Sequence, residues 1–176
     1  MSILALLAWA ALVGFILLLV TAALRPDSFR VERSSRVAAP AAAVGALISD
    51  FHQWVRWSPW EKIDPTMERR YSGAASGVGA VYSWSGNGKA GAGRMEILEC
   101  EPGRIVIRID FSKPFKASNT VEFTLLPQGD GTSVTWAMYG PSPFISKMMG
   151  LVFNLDKMIG KDFETGLVNL QAAAAT

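Results

Sequence analysis

The strongest constraint lies at the N-terminus, where Ile3 to Leu24 (ILALLAWAALVGFILLLVTAAL) runs for 22 residues without a charge. At about 1.5 Å rise per residue, a helix of this length reaches roughly 33 Å, enough to cross the hydrocarbon core of a bilayer. The run is apolar on every face, unlike a helix that packs one stripe onto a soluble core. The expectation is a single-pass membrane anchor at residues 3–24, with residues 1–25 set apart from a domain at residues 26–176. A cleavable signal peptide is the rival reading, since Val20-Thr21-Ala22 offers a small-residue cleavage site. Such a signal carries a basic leader and an apolar stretch of about 7 to 15 residues. Here only Met1 and Ser2 precede a longer run, which favours a retained anchor. Arg25, Arg30, Arg33 and Arg36 follow the run and no basic residue precedes it, so the positive-inside rule puts the domain on the cytoplasmic side.

What remains is long enough for one domain with a sizeable core. The 17 Lys and Arg and 15 Asp and Glu all follow Leu24, and they are not gathered into a basic stripe, so no nucleic-acid partner is expected. With Cys100 as the single cysteine there is no intramolecular disulfide, which fits a reducing compartment. With His52 as the single histidine, a multi-histidine metal site is impossible and any Ser-His-Asp or Cys-His constellation would have to use that residue. No catalytic residue, metal site or cofactor is expected.

Pattern reading divides the domain into clear pieces. Arg25-Pro26-Asp27-Ser28 is a short linker, because Pro26 disfavours helix at the residue before it. Phe29 to Val37 begins with strand alternation. Ala39-Pro40 opens an alanine-rich helix with Val44, Leu47, Ile48 and Phe51 at helical spacing, followed by a short second helix in the tryptophan-rich HQWVRWSPW. From Met67 to Gly140 come six strand-like runs, ERRYSG, AVYSWSG, GRMEILECE, RIVIRIDF, NTVEFTLLP and SVTWAMYG, separated by glycine-rich turns too short for crossover helices. With the first strand they predict a seven-stranded antiparallel meander. Pro143 to Ala174 then reads as one long helix, with Phe144, Met148, Leu151, Leu155, Ile159, Phe163, Leu167 and Leu170 on one face. Gly150, Gly160 and Gly166 interrupt it at about 1 kcal/mol each relative to Ala, which suggests close packing or a bend.

This order, together with Ala39-Pro40, Trp57-Ser58-Pro59-Trp60-Glu61, the Gly77-Val78-Gly79-Ala80 to Trp84 to Gly86-Asn87 strand and the final FETGLVNLQ, resembles the SRPBCC superfamily of START-like and polyketide cyclase-like domains. The resemblance covers roughly Phe29 to Gln171. It implies an α+β helix-grip fold, a curved seven-stranded antiparallel sheet wrapped around a long C-terminal helix, with a hydrophobic tunnel between them. Members bind lipids or other apolar molecules, only some catalyse, and no universal catalytic residue can be carried over.

Individual motifs weaken the chemical readings. Gly86-Asn87-Gly88-Lys89-Ala90-Gly91 satisfies G-x-G-x-x-G, but a strand follows where a dinucleotide site needs a helix N-terminus, so it reads as a hairpin. Cys100 lies between Glu99 and Glu101, whose charges oppose thiolate formation, and His52 reads as a rim residue. Glu99 and Glu101 read as a solvated strand end, and Trp54, Trp57 and Trp60 as a plug at one end of the sheet.

The apolar residues on the inward faces are the candidate ligand lining: Tyr82, Trp84, Ile107, Ile109, Phe111, Phe123, Trp136, Met138, Phe144, Met148 and Leu151. Periodicity alone fits a solid core equally well. Flexible methionines, bulky aromatics and the resemblance favour a cavity for a lipid or other hydrophobic small molecule. The expectation is therefore membrane-anchored binding of such a ligand without obvious catalysis. The alternatives are a cyclase or dehydratase using Tyr82, Tyr139 or Asp110, and a tethered interaction module with a filled core.

Overall fold

A computed structural model describes residues 2–175. The uncharged run forms α1 (Ile3–Ala23), capped by the Ser2 hydroxyl, which accepts from the Ala5 amide. The helix is almost wholly exposed, and its length and composition are those of a membrane span or a signal sequence.

The sheet is built from β1 (Ser28–Val37), β2 (Glu68–Gly73), β3 (Ala80–Ser85), β4 (Ala92–Glu101), β5 (Arg104–Lys113), β6 (Ala117–Gln128) and β7 (Gly131–Pro141). Its spatial order is β1-β7-β6-β5-β4-β3-β2, antiparallel throughout, so β2 to β7 form the expected meander and β1 joins at the far edge. Between β1 and β2 run α2 (Ala41–Ser49) and the one-turn α3 (Trp54–Trp57), the latter flanked by short 3-10 turns. The Gly86–Gly91 motif is the β3–β4 hairpin turn, with Gly91 at a φ of +63° that favours glycine.

The helical pattern from Pro143 to Ala174 is not one helix but two, α4 (Phe144–Val152) and α5 (Leu155–Ala174). Phe153 and Asn154 adopt extended backbone, and the Asn154 side chain caps α5 by accepting from the Lys157 amide. The long α5 packs on β1, α2 and α3, whereas α4 packs against α1.

Close approach accounts for the glycines. A Cβ on Gly166 would lie 2.6 Å from the Trp136 ring, and one on Gly160 would overlap the Arg33 guanidinium. Arg33 uses that space to reach Asp156 at 3.0 Å and Glu164 at 2.8 Å, fastening β1 to α5.

Candidate functional site

The register assigns each inward side chain to a row across the concave face. One row runs Arg33, Trp136, Phe123, Ile105; the next Val31, Met138, Val121, Ile107, Ile97; the next Phe29, Gly140, Asn119, Ile109, Met95, Tyr82, Tyr71; the last Phe111, Gly93, Trp84. The first two rows are filled. Trp136 stacks on Phe163 at 4.3 Å and meets Trp57, Trp60 and Phe123 at 4.9 to 5.5 Å between centroids. Trp54 and Trp57 donate their indole N–H groups to the Ile48 and Leu47 carbonyls, so this end is plugged by tryptophan as its sequence suggests. The Trp136 indole nitrogen is buried with no hydrogen-bond partner among the described residues.

The last two rows differ. Phe29, Trp84, Ile109 and Phe111 are only half-buried, although their neighbours Tyr82, Met95 and Ile107 are closed off. These four partly exposed side chains form an apolar strip, here termed the trough, at the end of the sheet where β1 begins and β7 finishes. Trp84 lies across Gly93, where any Cβ would strike its ring at 2.5 Å, and meets Phe111 edge-on at 5.8 Å. Asn119 lies over Gly140, and its amide forms no side-chain hydrogen bond among the described residues. The trough therefore combines aromatic and aliphatic side chains with one amide that makes no side-chain hydrogen bond among the described residues.

The candidate lining thus separates into three groups. Trp84, Ile109 and Phe111 lie in the trough, with Tyr82 and Met138 at its floor. Ile107, Phe123 and Trp136 lie in the filled core. Phe144, Met148 and Leu151, expected opposite the sheet on a continuous helix, lie instead on α4 beside α1, with Phe144 about half exposed, because the break at Phe153 and Asn154 redirects that segment.

Beneath the trough sits a polar node that pattern reading missed. Tyr82 donates to Glu61 Oε1 at 2.6 Å, while Arg69 Nε reaches Glu61 Oε2 at 2.6 Å and Arg69 Nη2 donates to the Glu61 carbonyl at 2.9 Å. Burial, and then this bond to a carboxylate, push the Tyr82 hydroxyl far above the ordinary tyrosine range. Glu61 raises the Arg69 guanidinium in turn. Both Glu61 oxygens are engaged by these donors. The only signal in the sequence was a carboxylate set within a tryptophan-rich segment.

The other candidates for proton transfer point elsewhere. Tyr139 and Asp110 alternate with Met138 and Ile109 and lie on the outer face, where Tyr139 donates to Glu122 at 3.3 Å and Asp110 accepts from Ser118 at 2.6 Å. His52 stacks on Tyr71 at 4.1 Å with Nδ1 3.0 Å from Asp50. Cys100 is exposed, and Glu99 pairs with Arg104. Among the described residues no group of acidic, cysteine or histidine side chains is placed to hold a metal.

Residues 28–175 match the family described as polyketide cyclase / dehydrase and lipid transport. No curated protein matches the sequence. Solved structures share the fold at low identity. Protein CV1439 from Chromobacterium violaceum is 16% identical, with a TM-score of 0.59 over 86% of this chain and 99% of its own. A protein from Thermobifida fusca is 24% identical, with a TM-score of 0.58 over 82% and 92%. Protein SA2116 from Staphylococcus aureus is 11% identical, with a TM-score of 0.63 over 85% and 94%.

Proposed function

The chain belongs to the polyketide cyclase / dehydrase and lipid-transport family, and on that premise we propose that it binds a lipid or another apolar small molecule in the trough while α1, retained as an anchor, holds the domain at a membrane. The observation carrying this reading is that Phe29, Trp84, Ile109 and Phe111, from the last two rows of the concave face, stay half-buried while α5 is fastened to β1 through Arg33. Leaving such area in water forfeits about 25 cal/mol per Å² of apolar surface, and an apolar ligand recovers it. Asn119 supplies a hydrogen bond to fix one polar atom of that ligand. Anchoring suits such a ligand, since the molecule itself partitions into the bilayer.

The cyclase or dehydratase reading finds less support. Of its three proposed groups only Tyr82 faces inward, and its hydroxyl is committed to Glu61. Native mass spectrometry of the full chain, released from detergent in the gas phase, tests the binding reading. A discrete added mass matching an extractable lipid, lost in Ile109→Trp, is the expected result; a bare chain, with the variant indistinguishable from it, counts against binding.

A further inference from the structure

The end of the sheet that opens the trough is also the end joined to α1, and three features gather there. The first is α4, fixed to the foot of α1. Arg25 Nη1 donates to the Gly150 carbonyl at 2.7 Å, Lys147 Nζ reaches Asp27 Oδ1 at 2.5 Å, and the Ser142 amide donates to the Asp27 carbonyl at 2.7 Å. Lys147 and Gly150 occupy the linker side of α4. At 100° per residue the opposite side carries Ile145, Met149 and Val152, exposed by 67%, 42% and 77%, with Phe153 beyond them at 52%. The single charge on this helix, Lys147, is buried against the linker, so nothing ionic lies on the outward stripe.

The second feature is the β5–β6 turn. Because Phe111 pairs with Ala117 and Ser28 with Pro141, that turn projects from the same end of the sheet as the linker. Phe115 stands at its tip, 69% exposed, among Lys113, Lys116 and, on the adjacent β3–β4 turn, Lys89. None of these three lysines forms an ion pair among the described residues. The third feature is the trough itself, whose outermost row, Phe111-Gly93-Trp84, lies directly inside the two turns.

An unpaired apolar stripe and an aromatic tip ringed by unpaired lysines, both at the foot of an apolar span, match the headgroup and acyl boundary of an anionic membrane. We propose that the bilayer covers this end of the domain: α4 lies in the interface with Ile145, Met149 and Val152 toward the acyl chains, Phe115 inserts beside it, and the trough opens into lipid rather than into water. This rests on the reading of α1 as a retained anchor, and it adds that the domain itself is seated in the membrane. A ligand then enters from the acyl layer without crossing water.

Site-directed fluorescence on the full chain tests the proposal, in phosphatidylcholine vesicles carrying phosphatidylglycerol as the anionic lipid. The native Cys100 lies by the β4–β5 turn, about 27 Å along β5 from Lys113 at 3.3 to 3.4 Å per residue, and serves as the aqueous control. In a Cys100→Ser background, Phe115→Cys, Ile145→Cys and Trp9→Cys each receive an environment-sensitive dye. The proposal expects dyes at 115 and 145 to lose fluorescence to nitroxide-labelled acyl chains and to resist iodide, while the dye on Cys100 does the reverse. Iodide access at 115 and 145, with the dye at position 9 quenched by lipid, overturns the seated domain and leaves the anchor standing. Position 9 escaping the lipid quencher overturns both. Dyes at 115 and 145 shielded from iodide and lipid alike mean that protein covers this end, which also overturns the proposal. All the substituted side chains are exposed, so folding does not depend on them. A second variant, Lys113→Glu with Lys116→Glu, should reduce lipid quenching at Phe115→Cys in anionic vesicles and not in neutral ones; equal quenching in both overturns the electrostatic part.

Discussion

The Tyr82 hydroxyl donates to the Glu61 carboxylate at 2.6 Å in a buried setting, joining the floor of the trough to the segment after α3. Tyr82→Phe leaves Glu61 with Arg69 but strips one oxygen of its donor, at an expected cost of about 1 to 3 kcal/mol. Glu61→Ala takes the carboxylate from both Arg69 Nε and the Tyr82 hydroxyl, leaving Arg69 only its bonds to the Glu61 and Met67 carbonyls, and should cost more, about 3 to 5 kcal/mol. Urea unfolding of the two variants checks the ranking; a smaller loss for Glu61→Ala removes the carboxylate from the centre of this node.

Gly166 admits the rigid Trp136 ring and Pro59, whereas Gly160 admits the end of a flexible arginine. Gly166→Ala should therefore lower stability by about 1 to 3 kcal/mol, as overpacking does, despite a helix-propensity gain near 1 kcal/mol. Gly160→Ala should lower it less, because Arg33 can swing aside. Thermal unfolding of both decides the order, and equal shifts contradict the packing account.

Acid should loosen the loop that supports the β3–β4 turn. Asp64 accepts from the Asn87 amide at 2.7 Å and from the Thr66 amide and hydroxyl, and these bonds, Asn87 foremost, hold its carboxyl below the usual range. A carboxyl depressed in the folded state contributes fully above the unfolded value of about 3.9, and that contribution is lost as pH falls through the folded value. Asp64→Asn should thus be less stable at neutral pH and lose less between pH 5 and the acid limb, as followed by the unfolding midpoint. A parallel acid limb in the variant contradicts this assignment.

Strand positions were legible because alternation and turn glycines survive in a meander whose hairpins are local; ERRYSG is β2 residue for residue. The long apolar helix at the N-terminus was equally plain. The break between α4 and α5 was hidden because Met148, Leu151 and Leu155 keep helical spacing straight through it, while Asn154, the cap that marks it, resembles any exposed asparagine. The trough was half legible. Register of Trp84, Ile109 and Phe111 follows from alternation, but which rows α5 covers depends on Arg33 reaching Asp156 and Glu164, contacts between residues more than 120 apart in sequence. Pairing of Glu61 with Tyr82 across 21 residues has no periodic signature either.

The filled and open halves of the concave face should answer truncation differently. Phe123 is fully buried among Trp54, Trp57 and Trp136, so Phe123→Ala should cost about 3 to 5 kcal/mol. Ile109, half-buried at the trough, should cost less than the 2 to 5 kcal/mol typical of a core Ile→Ala, about 1 kcal/mol. Ile109→Trp should be tolerated with no fall in the unfolding midpoint, because Ile109 is partly exposed and the added bulk can extend toward the surface. A midpoint lowered as far as for Phe123→Ala makes the trough part of a solid core.

Photocrosslinking reads the central claim most directly, with the full chain in vesicles containing a phospholipid whose acyl chain carries a diazirine, and adducts mapped by peptide mass spectrometry. The account predicts adducts on β3 and β5 at Trp84, Ile109 and Phe111, lost in Ile109→Trp while adducts on α1 persist. Labelling confined to α1 and α4, unchanged by Ile109→Trp, would contradict a lipid-binding trough.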